Sequence, residues 1–137
     1  MTAGQRLAQV FGWGFIIIGL AGFAATGSSM EPNHMVAPRL FGLFPVNVLH
    51  NVVHLVFGLW GVLGARSVGG ARSYLLGAGL VYLLLAGLGF VAPNGFGLVP
   101  LGGNDIGLHV FLSLGLLFSG LLTSARGGSA TSDTRAV

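Results

Sequence analysis

The chain predicts an all-α integral membrane protein, a four-helix bundle with an internal pseudo-twofold repeat of helix pairs. Three observations carry this. The 137 residues are 53% hydrophobic and only 7% charged, whereas a soluble domain carries about a quarter charged residues. Four segments approach the roughly 20 apolar residues that a helix needs to cross a bilayer. And two stretches 55 residues apart repeat one another, Phe41-Gly42-Leu43-Phe44-Pro45 and Phe96-Gly97-Leu98-Val99-Pro100.

The four spans are placed at about 7–25, 47–65, 74–92 and 105–124, within one domain over 1–126. Runs such as Phe15-Ile16-Ile17-Ile18 and Tyr82-Leu83-Leu84-Leu85 do not alternate in polarity, which favours helices over barrel strands. The first span follows Arg6 like a secretory signal, but its length suits a retained span. The stretch 127–137 is Gly, Ser, Thr and Ala with single charges and reads as a flexible cytoplasmic tail. Small residues four apart, as in Gly4-Ala8-Gly12, Gly61-Ala65 and Gly115-Ser119-Thr123, are expected to pack helix on helix.

Charge sets the orientation. Arg6, Arg66, Arg72, Arg126 and Arg135 fall on one side of alternating spans and Arg39 on the other. By the positive-inside rule both termini are cytoplasmic and the loops 26–46 and 93–104 are exoplasmic. The localisation expected is multi-pass in a bacterial inner, cytoplasmic membrane. A pI of 10.7 does not make this a nucleic-acid binder, because the net excess is three charges and the arginines stand singly. With no cysteine, thiol chemistry, disulfides and thiolate metal sites are excluded. No nucleophile–base–acid set and no phosphate loop is present, so an enzyme is not expected.

The polar residues inside the apolar spans are the informative ones, since each needs a partner or a task in lipid. On the second span Asn47, His50, Asn51 and His54 lie three and four apart and share a face. On the fourth, Asp105, His109 and Ser113 do the same. The repeat superposes His54 on His109 and His50 on Asp105, placing each pair at equal depth under a parallel pseudo-twofold axis. Three imidazoles and a carboxylate then converge. Metal ligation by His50, His54, His109 and Asp105 is one reading. Axial ligation of a haem or chlorophyll-type tetrapyrrole by His54 and His109 is another. A hydrogen-bonded lock that also uses Asn47, Asn51 and Ser113 is a third, and a proton path a fourth. Asn47 and Asp105 also stand where helices begin and are expected to cap them. Arg39 is expected to pair with Asp105 or Glu31, His34 to be solvated, and Tyr74 to anchor at the membrane interface.

The Asn47-Val48-Leu49-His50-Asn51-Val52-Val53-His54-Leu55 stretch and the Asn104-Asp105 to His109 stretch resemble a bacterial four-span membrane family, domain of unknown function 4383. Ile106 stands where that family's second motif carries an asparagine. The resemblance implies a four-helix membrane fold and a shared polar cluster of His50, His54, Asp105 and His109, and it implies no activity. The expected function is that of a small structural or accessory subunit of a larger membrane complex, or of a homo-oligomer. In it the cluster locks the bundle or holds a metal ion or tetrapyrrole. The alternative is a stand-alone redox or metal-handling membrane protein using His50, His54 and His109.

Overall fold

The computed structural model describes residues 1–124. The tail assigned to 127–137, together with Arg126 and Arg135, lies outside the described residues. Four helices run α1 Ala3–Thr26, α2 Val48–Gly64, α3 Val68–Val91 and α4 Asn104–Leu122. Helices α1, α3 and α4 are long and apolar enough to cross a membrane. Helix α2, with 17 residues, spans only about 26 Å at 1.5 Å per residue, short of a roughly 30 Å hydrocarbon core. It is a shorter apolar helix packed on α1 and α3.

Each boundary has a local cause. Thr2 opens α1 with a reciprocal capping box to Gln5. Asn47 opens α2, accepting from the His50 N–H at 2.8 Å. The turn to α3 is tighter than the sequence suggested. Ser67 caps the Gly70 N–H at 3.0 Å, so α3 starts at Val68 and Arg72 lies inside it. Gly70 makes this possible, because a Cβ there would meet the Gly64 carbonyl at 2.5 Å.

The helices pack as two hairpins, α1 on α2 and α3 on α4. Glycines set the separations, and they do so in repeat-related positions. An offset of 67 residues aligns α1 with α3, and 55 aligns α2 with α4. A Cβ on Gly12 would meet Val62, while one on its equivalent Gly79 would meet the equivalent Leu117. Gly22 lies on the Asn51 side chain and Gly89 on Ile106. Ile106 thus fills the place that Asn51 fills in the other half. The small-residue rows are used internally: Gly4 packs on Thr123, and Ala8 and Ala65 are buried in the core.

The long loops cover one end of the bundle. In the first, Arg39–Leu40 pairs antiparallel with Phe44–Pro45; in the second, Gly95–Gly97 forms a single 3-10 turn. The two repeated Phe residues are the non-glycine residues with positive φ among those described, 54° at Phe41 and 55° at Phe96. Both rings are exposed, and both following prolines, Pro45 and Pro100, are buried. His34 is not simply solvated. Its backbone N–H donates to Asn94 Oδ1 at 3.1 Å and its Nδ1 lies 2.9 Å from the same oxygen, joining one loop to the other. Arg39 makes neither expected ion pair, since its guanidinium donates to the carbonyls of Leu43 and His34.

Outward faces are apolar along every helix: Val10, Trp13 and Ile17 on α1, Val56 and Leu59 on α2, Leu80 and Leu84 on α3, Phe111, Leu114 and Phe118 on α4 are all exposed. Such a belt is tolerable only against lipid or another apolar surface.

Candidate functional site: a buried histidine–carboxylate cluster

The cluster lies beneath the long loops, where the two hairpins face each other. Helix α2 contributes His50 and His54, one turn apart on its inner face. Helix α4 contributes Asp105 and His109, likewise one turn apart. All four are at most 5% exposed. One potential ligand atom each from His50, Asp105 and His109 lies within 4.8 Å of the others. His54 joins through its ring, whose centroid is 4.7 Å from that of His50. The His50 and His109 rings are stacked across the hairpin boundary at 6.2 Å.

These groups are brought together without being satisfied. His109 Nδ1 stands 3.2 Å from Asp105 Oδ2, but the pair is not aligned as a hydrogen bond. Both atoms lack a partner, as do His50 Nδ1 and His54 Nδ1. Buried polar atoms are normally paired, and leaving one unmade costs about 1–3 kcal/mol. Four orphan atoms in one buried cluster therefore call for a ligand, a cation, water or a strong packing return.

Asp105 does not cap α4 as its position suggested. Gly103 occupies the N-cap without a side-chain bond, and its φ of 68° turns the chain so that the carboxylate points inward. Asn47 does cap α2, and its amide donates to the Leu98 carbonyl at 2.8 Å, tying α2 to the second loop. Asn51 donates to Thr26 Oγ1 at 3.0 Å and holds α2 to the end of α1. Ser113 donates to the Val110 carbonyl of its own helix. These three are buried around the cluster, and their side chains bond to backbone groups and to Thr26 rather than to the imidazoles or the carboxylate.

Two aromatic residues complete the site. Tyr82, fully buried, has its ring 5.1 Å from both Phe15 and His109. Phe15 stacks on His54 at 5.8 Å. Neither stood out from its immediate neighbours in sequence. The signal was the offset of 67, which makes Phe15 and Tyr82 equivalents. Tyr74, expected at the interface, is fully buried instead, edge-on to Trp60 at 5.3 Å.

Two cavities flank the cluster, and they are related by the repeat. The larger, about 240 Å³, has Phe15, Ile18, Phe44, Val46 and Leu108 in its wall. The smaller, about 70 Å³, has the equivalents Tyr82, Leu85, Val99, Leu101 and Val53. His50 and His54 border both, Asp105 the larger and His109 the smaller. The pseudo-twofold axis read from the sequence therefore passes through the polar cluster.

The fold and site define a polytopic α-helical membrane protein with a histidine–carboxylate centre buried between two helix hairpins. The chain matches the family described as domain of unknown function (DUF4383) over residues 5–122, and it belongs to that family. No curated protein and no solved structure matches it.

Proposed function

We propose that this protein is a small accessory protein of a bacterial cytoplasmic membrane that holds one divalent transition-metal ion between its two hairpins. His50, Asp105 and His109 would be the ligands, with His54 beside them. The carrying observation is the convergence of three buried ligand atoms within 4.8 Å, at a point where His50, Asp105 and His109 each leave a buried atom without a partner. Imidazole nitrogen with carboxylate oxygen suits zinc, manganese or iron, and no thiolate competes. A buried carboxylate is commonly paired or metal-bound. The arginine of the long loops is already engaged with carbonyl groups, which leaves Asp105 for a bound cation.

A tetrapyrrole fits less well. The rings of His50, His54, His109, Phe15 and Tyr82 pack at 4.7 to 6.4 Å between neighbouring centroids, with no slot for a macrocycle between the histidines. The accessory role rests on how little of the chain lies beyond the helices and on the apolar belt around them. A pure packing lock is the second reading. It is favoured by the 3.2 Å approach of His109 to Asp105 and by the stacked rings.

Metal analysis of the detergent-purified protein separates the two. After equilibration with zinc, manganese or iron(II) and gel filtration, the native chain should retain about one ion of a preferred metal. His50→Ala and His109→Ala should lose it, and His34→Ala should keep it. Background metal in the native chain after all three ions would leave only the lock.

A further inference from the structure

We propose that the larger cavity is a binding site for the head of a lipid-soluble quinol or quinone, entered sideways from the membrane between α1 and α4. Four features of the site lead to this.

Its position gives the route. Helices α1 and α4 meet near their terminal ends, where Gly4 packs on Thr123 and Phe11 lies against Gly115. Above that point they part around the cavity of about 240 Å³. Two of its bordering residues, Val10 and Gly14, are exposed on the outward face of α1. That face continues through Trp13 and Ile17 as part of the apolar belt. The mouth therefore opens where lipid would lie.

Its inner end gives the head group. His50, His54 and Asp105 border the cavity, so its inner end is where hydrogen-bonding side chains stand on an otherwise apolar wall. A carboxylate oxygen accepts, while an imidazole nitrogen donates or accepts according to its tautomer. This set matches a head bearing hydroxyl or carbonyl groups. It does not match a phosphate or fatty-acid head, because no arginine or lysine borders the cavity and Asp105 would repel an anion.

Its walls give the shape. Phe11, Phe15, Phe41 and Phe44 border the space, and aromatic side chains favour stacked or edge contacts with a flat ring. Its size accommodates a single ring and leaves a chain to run out past Gly14.

This inference shares His50 and Asp105 with the proposed metal centre but needs no metal to be bound. The test keeps the two apart. The full-length protein in dodecyl maltoside, once metal-loaded and once chelated, is titrated calorimetrically with decyl-ubiquinol and, in parallel, with decanol. Gly14→Leu is the informative variant. A Cβ at Gly14 meets nothing within 4 Å and leucine favours helix over glycine, so the fold stands while the side chain fills the mouth. Gly87→Leu on α3, equally free of neighbours, is the control. Saturable binding of decyl-ubiquinol is expected, at least tenfold weaker in Gly14→Leu and unchanged in Gly87→Leu, with the same metal content in all three chains. Equal affinity in Gly14→Leu, binding of decanol as tight as that of the quinol, or no saturation beyond micelle partitioning would each overturn the assignment. Metal retained by a chain that binds no quinol would leave the metal centre standing alone.

Discussion

The backbone approach of α1 to α2 offers the sharpest quantitative test. At Gly12 an added Cβ would lie 2.7 Å from the Val62 nitrogen and 2.9 Å from the Gly58 carbonyl oxygen. Both are main-chain atoms of α2 and cannot rotate away. Reaching ordinary contact near 3.4 Å requires α1 and α2 to separate by about 0.7 Å. A gap of that size forfeits a quarter to a half of each dispersion contact along the seam, and overpacking of this kind costs about 1–3 kcal/mol. Two residues further on, Gly14 has nothing within 4 Å of the same virtual atom. Gly12→Ala and Gly14→Ala make one chemical change on one helix, so the gain in helix propensity, about 1 kcal/mol, cancels between them. The difference isolates the packing term. Gly12→Ala should be less stable than Gly14→Ala by about 1–3 kcal/mol, toward the upper end because the clash is with backbone. Reversible unfolding in mixed micelles, followed by circular dichroism, measures it. Two variants agreeing within about 0.5 kcal/mol would mean that α1 and α2 are not seated at Gly12, and the placement of Phe15 on His54 would fall with it.

Two further outcomes follow from the same packing. Tyr74 is fully buried with no partner for its hydroxyl, so Tyr74→Phe should stabilise the fold by about 1–3 kcal/mol in the same unfolding assay, and a loss of stability would reveal a partner. Phe96 holds a φ of 55° with its ring 80% exposed. Left-handed backbone costs a bulky residue about 1–3 kcal/mol and glycine gives back part of that as entropy. Phe96→Gly should therefore gain about 1 kcal/mol, and destabilisation would show that the ring is held by contacts.

What the sequence made legible, and what it hid, divides along physical lines. Helix existence was plain because apolar runs in lipid have few alternatives. The cluster was legible too. Spacing of three and four put His50 with His54 and Asp105 with His109, and the repeat put the two pairs together. Local spacing did not reveal the direction of Asp105, because that depends on where α4 starts: with Gly103 as the N-cap, Asp105 falls inside the first turn. Helix α3 began earlier than hydropathy suggested, because Ser67 caps it and glycines let the turn close. Tyr74 and Tyr82 were hidden because a tyrosine in an apolar run looks alike at an interface and in a core. His34 was hidden because its partner, Asn94, lies 60 residues away.

The symmetry of the scaffold explains why the centre is unsymmetrical. Two hairpins related by an axis place equivalent residues face to face where that axis runs. Were this a dimer of identical hairpins, the facing residues would have to be two histidines or two aspartates. Two carboxylates so close would repel, and two imidazoles alone would offer no anionic ligand. A single chain holding both halves escapes that constraint, with His50 in one half and Asp105 in the other. The same freedom distinguishes the two cavities. At the position where α3 carries Val81, α1 carries Gly14, the glycine at the mouth of the larger space. Helix α3 also sinks Ala78 and Tyr82 fully into the core, closing its side more tightly. One flank is thereby filled and the other left open, so the asymmetry at the polar centre and the asymmetry of access arise from the same divergence between the halves.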